Sequence, residues 1–163
     1  MIRDLEAPLQ APRARIPIAV RPATRDDASP IRERIAELGG SDRGDRELFL
    51  RLEIGTCYVA VTEPGELCYM QWLVGPEHNA LLAEHTSLPM LEEAEALLEN
   101  AFTPRAFRGQ GIMSAAMAQI AAQASQMGAR WVLTVVRELN LGAMTGCVRA
   151  GFRPHLLRWT AGA

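Results

Sequence analysis

The sequence predicts an α/β domain built on a central sheet of six strands with four helices. Three observations carry that expectation. Two runs rich in Val, Tyr, Cys and Trp, Thr56 to Thr62 and Leu67 to Val74, flank Glu63-Pro64-Gly65-Glu66, which is the signature of a β-hairpin. A strand-like run from Ala94 to Thr103 passes through a glycine-bearing segment into a helical pattern and then into the apolar run Trp131 to Val136. Strand, loop, helix, strand is a βαβ unit over 94–136, which makes its two strands parallel. The chain has 163 residues, 48% of them hydrophobic, enough for one domain with a substantial core.

The elements follow in order. Residues 1–17 are polar, with Pro8, Pro12 and Pro17 spread through them, and are expected to form a flexible arm ahead of a domain over 18–163. Ile18 to Arg21 reads as a first strand. Asp26 to Leu38 has helical spacing and stops at Gly39-Gly40. Arg46 to Glu53 is a second helix. Gly75 to Pro89 reads as a long irregular stretch, and loops of that length tend to be functional or mobile. In the helix after the glycine segment, Met113, Met117, Ile120, Ala124 and Met127 form one apolar stripe, closed by Gly128. Trp131 to Val136 is apolar enough for a strand buried on both faces. Asn140 to Ala150 fits a last helix and Phe152 to Thr160 a closing strand.

Composition narrows the function. The formal net charge is −2 and the pI about 5.9, without the basic excess that nucleic-acid contact requires. Cys57, Cys68 and Cys147 are odd in number and form no CxxC pair, so reduced thiols are expected rather than disulfides or a metal site. His78 and His85 match no zinc spacing, and no metal is expected. No apolar run is long enough to span a bilayer, and the N-terminus lacks the charge and apolar stretch of a signal peptide. The expected location is the cytoplasm.

Gly109 and Gly111 lie between a strand and a helix. Glycine there lets backbone N–H groups approach a ligand, and the helix start adds unpaired donors and a positive dipole end. Phosphate suits such a place, and Arg105 and Arg108 flank it. A dinucleotide fingerprint would need glycine where Ser114 stands, and a Walker loop would need Gly-Lys-Ser/Thr. Taken alone, the two glycines fit a tight turn equally well.

Arg108-Gly109-Gln110-Gly111-Ile112, after a strand and opening a helix, resembles the pyrophosphate-binding motif of the GNAT superfamily of acyltransferases. That motif reads Arg or Gln, two residues, Gly, one residue, then Gly or Ala. Met113 stands where the small residue is expected. A second segment, Asn140, Ala143, Cys147 and Gly151-Phe152, resembles the C-terminal Asn, Ala, Tyr and Gly-Phe of the same family. The resemblance covers about Ile18 to Phe152. It implies a mixed, mostly antiparallel sheet of six to seven strands, and acetyl-CoA as cosubstrate for transfer to an amine by direct attack. It also implies a monomer or homodimer. The sheet would splay between the strand 94–103 and the strand 131–136 to admit pantetheine. Ala101, Phe102 and Thr103 would pair with the pantetheine arm. Backbone amides of Arg108, Gly109, Gln110, Gly111, Ile112, Met113 and Ser114 would hold the pyrophosphate, and Asn140 would touch the cofactor or brace its loop.

Direct attack needs a base, because amines are mostly protonated at neutral pH. Glu95 and Glu99, four apart on one strand, face the same side. Glu99, between Leu98 and Asn100, is set for a raised pKa by burial. Glu95 matches the position where protein-acetylating members carry a base, but it also reads as a solvated strand entrance. Cys147 replaces the Tyr that protonates the leaving thiolate, and a thiol with its usual pKa near 8.5 is able to donate that proton. It reads equally as a small buried residue. Tyr69, Trp72 and Trp159 fit either an acceptor pocket or the core. The acceptor half would come from residues 26–53 and 75–89, and Glu92, Glu93, Glu95 and Glu99 would suit a cationic amine. Met113 and Cys147 leave open a non-catalytic acyl-CoA-binding module.

Overall fold

The computed structural model describes residues 1–156. In chain order its strands are β1 (Ile2–Asp4), β2 (Ile18–Pro22), β3 (Thr56–Thr62), β4 (Leu67–Val74), β5 (Glu95–Phe102) and β6 (Trp131–Thr134). The helices are α1 (Ala28–Ala36), α2 (Gly40–Leu52), α3 (Asn79–His85), α4 (Ile112–Gln123) and α5 (Leu141–Arg149). The six strands make one sheet in the order β1-β6-β5-β4-β3-β2. Every neighbouring pair is antiparallel except β5 and β6, which run parallel on either side of α4. That matches the expected βαβ unit and the mixed, mostly antiparallel sheet.

Alternation along the central strands splits the core in two. Leu98 of β5 and Tyr69 and Leu73 of β4 pack with Ile112, Ala116, Met117 and Ile120 of α4 and Cys147 of α5. Leu97, Met70, Trp72 and Val74 turn to the other face, against Ile31 and Ile35 of α1, Phe49 of α2 and Leu82 of α3. Phe49 meets Trp72 edge-on at 6.2 Å between ring centroids, a favoured aromatic geometry. Tyr69 and Trp72 are therefore core residues, while Trp159 lies outside the described residues. All of β4 is buried, Gln71 included, whose Oε1 accepts from the Tyr69 hydroxyl at 2.7 Å.

Several expectations need correction. Residues 1–17 are not a loose arm throughout. Ile2–Asp4 pairs with Leu133, Val132 and Trp131 of β6, and the buried Arg3 guanidinium donates to the Ala118 carbonyl at 3.1 Å. β1 and β2 lie at opposite edges of the sheet, so the intervening chain must cross the α4 side. Arg153 bridges Ile2, and the expected strand Phe152 to Thr160 has no further pairing up to Leu156; the rest falls outside the described residues. The helical stripe on α4 is too narrow a description. Ala115, Ala116, Ala118 and Ala121 are buried as well as Met117 and Ile120, because small side chains let α4 be enclosed between the sheet, α5 and the N-terminal crossing. α1 already ends at Ala36 with Glu37 as its C-cap, and Gly39-Gly40 instead opens α2, six residues before the expected start. Gly75 to Pro89 is ordered: a turn at Pro76–His78 leads into α3. The Asn79 side chain clamps the segment by bonding both the N–H and the carbonyl of Leu91, at 2.9 and 2.8 Å.

Candidate active site

β5 and β6 stay in register from Glu95–Trp131 to Leu98–Thr134 and then part. Past that point only the Val135 N–H reaches across, to a Glu99 carboxylate oxygen at 3.4 Å. On its other side β5 is also irregular. Its pairing with β4 shifts between Met70 and Trp72, and Asn100 has φ of 60°. This is a bulge, and bulges bend a strand away from its neighbour. Asn is among the few side chains that tolerate this left-handed region. The bulge and the splay coincide, so among the described residues, 99–102 have no strand partner on the β6 side. A free strand edge is able to pair with an extended ligand.

The structure brings the predicted cofactor residues together at the end of that edge. Phe102 is buried and pairs with Met70. Thr103 follows, and its carbonyl accepts from Arg108 Nε at 3.1 Å. The Ala101 carbonyl accepts from Arg46 Nη2 of α2 at 2.8 Å, so that acceptor is already engaged. One helical turn at Arg105–Phe107 leads to Gly109 and Gly111, with φ of 76° and 74°. Both conformations favour glycine. Gly111 is the residue before α4, and no side chain caps the helix. The donors at that helix start thus face the loop without a side-chain acceptor, the arrangement that suits an anion.

Ile112 and Ser114 are buried. Met113 does not stand over the loop. It packs on Gly146 of α5, whose hypothetical Cβ would sit 2.8 Å from the Met113 sulfur. A large residue at 113 is matched by the missing side chain at 146. Asn140 caps α5: its Oδ1 accepts from the Ala143 N–H at 3.1 Å, so it braces its own loop.

The candidate bases separate. Glu99 sits where the splay meets a cleft of about 470 Å³ lined by Asp45, Leu48 and Phe49 of α2, by Glu84 to Leu88, and by Asn100. Burial pushes its carboxyl up to about 7. The Val135 N–H, the Arg46 guanidinium and the Asn100 N–H pull it back down by smaller amounts. Glu95 starts β5, outside the cleft lining, and accepts from the Glu92 N–H at 3.0 Å. Cys147 is fully buried on α5 and packs in the core, and burial raises its thiol to about 11. It therefore keeps its proton at neutral pH. Among the described residues no cluster of three His, Cys, Asp or Glu side chains is placed to hold a metal ion. No helix there is long and apolar enough to cross a membrane.

Two site residues escaped the sequence reading. Arg46 is 8% exposed, lies 5.9 Å from the Phe102 ring centroid, and leaves its Nε without a partner. Asn100 buries an unpartnered amide nitrogen. For Asn100 a signal existed, since Asn inside an apolar strand marks a bulge. For Arg46 there was none, because an arginine on a helix is by default solvated.

The sequence matches no family model and no curated protein. Solved structures do match. A GNAT family acetyltransferase from Brucella melitensis in complex with acetyl-CoA superposes with a TM-score of 0.57 at 16% identity, covering 78% of this chain and 81% of its own. Glucosamine-6-phosphate N-acetyltransferase from Arabidopsis thaliana gives 0.58 at 13% identity, covering 90% and 98%. An aminoglycoside antibiotic 6'-N-acetyltransferase from Acinetobacter baumannii gives 0.58 at 12% identity, covering 90% and 99%. The splayed mixed sheet thus defines a class: the chain has the fold of the GNAT acetyltransferases.

Proposed function

We propose that this protein transfers the acetyl group of acetyl-CoA to a primary amine, both substrates being bound at once. The observation that supports this best is the place of Glu99. It stands at the point where a splay leading to a glycine loop opens into a separate cleft. A cosubstrate threaded through the splay and an amine in the cleft would meet there. Bound acetyl-CoA would supply an activated thioester. The residues fit it: a free strand edge, two glycines in left-handed conformation, and an uncapped helix start.

Glu99 takes the proton that the amine must lose. With a carboxyl near 7 Glu99 is about half ionised at neutral pH and largely ionised at mildly basic pH, and it is still basic enough to be effective. Asp45 and Glu84 in the cleft lining favour a cationic amine. The Cys147 thiol, buried in the core and raised to about 11, is a weaker acid than an ordinary thiol, so the thiolate would leave without its help. A non-catalytic CoA-binding module was motivated by Met113 and Cys147, and the packing of Met113 on Gly146 removes the steric half of that motive.

The test is calorimetric titration of acetyl-CoA into the protein, followed by thiol release with a panel of mono- and polyamines. Micromolar binding with amine-dependent turnover supports the proposal. Binding without turnover for any amine favours the module, and absence of binding sinks both.

A further inference from the structure

We infer that the N-terminal crossing from Pro12 to Ile16 is one wall of the phosphate site, and that Arg13 and Arg15 bind phosphate oxygens of CoA beside the glycine loop. This rests on the acetyl-CoA reading above. The crossing is not loosely draped. The Arg15 N–H donates to the Gln110 carbonyl at 2.8 Å, inside the loop. A Cβ on Gly111 would stand 3.2 Å from the Arg13 carbonyl, so the absence of a side chain at 111 admits the crossing as well as the backbone turn. Upstream, the Leu5 N–H donates to the Arg130 carbonyl, and Leu9 packs where a Cβ on Gly151 would be. These contacts fix the path over α4.

Exposure alternates along this segment. Pro12, Ala14 and Ile16 are half-buried, while Arg13 and Arg15 are exposed. Arg13 and Arg15 border the same groove along α4. Arg105 and Arg108 are also exposed, on the loop itself. Among the described residues none of these four arginines forms an ion pair. The chain has 19 acidic residues against 17 basic ones, yet among the described residues no carboxylate lies within ion-pair distance of these four. Like charges carried by the glycine loop and by the crossing bonded to it repel each other, and a polyphosphate anion relieves that repulsion while meeting the planar forks of the arginines. A groove of about 400 Å³ between the crossing and Ala115 and Gln119 of α4 leaves room beside them. The resemblance motif covers only the loop, so it contains neither Arg13 nor Arg15.

The test compares acetyl-CoA affinity, by calorimetry, of the wild type, the double variant Arg13→Ala/Arg15→Ala, its counterpart Arg13→Lys/Arg15→Lys, and Arg43→Ala. Arg43 is an exposed arginine paired with Glu47. Thermal melts check that each is folded, which exposed positions should allow. The expected result is a Kd about 30-fold weaker or more in the double alanine variant, partial rescue by lysine, and no change in Arg43→Ala. Repeating the titration with dephospho-CoA tells the sources apart. A loss that persists assigns the pyrophosphate, and one that vanishes assigns the 3'-phosphate. A folded double alanine variant that binds acetyl-CoA within about twofold of the wild type overturns the inference. Failure of the wild type to bind overturns the glycine-loop reading itself.

Discussion

The two halves of the splayed sheet are built in opposite ways. The half from β5 through the glycine loop to α4 and β6 is contiguous in sequence, and its key features are backbone features: a free strand edge, two glycines of positive φ, a bare helix start. The half facing the cleft is assembled from α2, the α3 segment and the middle of β5, and its key features are side chains: Asp45, Arg46, Glu84 and Glu99. Backbone recognition suits a ligand whose phosphates and amides never change. Side-chain recognition is free to follow the acceptor. Mutations in the first half should therefore abolish binding of acetyl-CoA, whereas mutations in the second should alter rate, pH dependence and choice of amine.

The largest effect is expected at Gly111. Tryptophan there has to adopt φ near 74° and push against the Arg13 carbonyl. Acetyl-CoA affinity, measured by calorimetry, should fall on the order of 100-fold or more. Because the same change displaces the N-terminal crossing, the milder Gly109→Ala separates the two causes: nothing lies near a Cβ at 109, so its loss of affinity reports backbone conformation alone.

Next comes Glu99→Gln. Its kcat should drop roughly 100-fold while the Kd for acetyl-CoA stays the same, which splits the halves cleanly. In the wild type kcat/KM for the amine should rise with pH through about 7 as Glu99 ionises, and that limb should vanish in the variant. The sign for stability is the reverse. A carboxyl raised to about 7 binds its proton more tightly in the folded state than in the unfolded one. Its favourable contribution is complete below the unfolded pKa near 4.5 and is lost as pH rises through 7. Thermal melts at pH 8 should therefore find Glu99→Gln more stable than the wild type, on the order of 2 kcal/mol, and the difference should disappear near pH 4.

Arg46→Met removes a positive charge that lowers the Glu99 pKa and releases the Ala101 carbonyl. The acidic limb of the pH–rate profile should move upward. An unmoved limb would show that Arg46 serves only packing. The smallest effect is expected for Met113→Ala. It should cost about 1–2 kcal/mol of stability through the gap left against Gly146, with acetyl-CoA affinity unchanged. A large gain in affinity would show that the Met113 side chain crowds the cosubstrate after all.

The contrast between the halves also explains what the sequence made legible. Gly109, Gly111 and the apolar strand before them are local signals, so the loop, α4 and the parallel pair were readable in one dimension. Glu99 stood out because it interrupts an apolar strand. By contrast, β1 is three residues long and includes Arg3 and Asp4; it exists because β6, far along the chain at Trp131–Thr134, offers an edge. Gly75 and Pro76 read as loop because nothing nearby shows that Asn79 will clamp Leu91. Glu95 remained an alternative base in one dimension, and only the position of the cleft, which Glu99 lines and Glu95 does not, separates the two.

Acetyl-CoA is expected to enter the splay between β5 and β6 and to end at the glycine loop. Backbone amide shifts followed by NMR during titration with acetyl-CoA test it directly. The largest shifts should fall in residues 99–103 and 108–114 and at Val135, with smaller ones at Arg13 and Arg15. Saturable shifts confined to other surfaces, or none at all in the folded protein, would contradict this binding path.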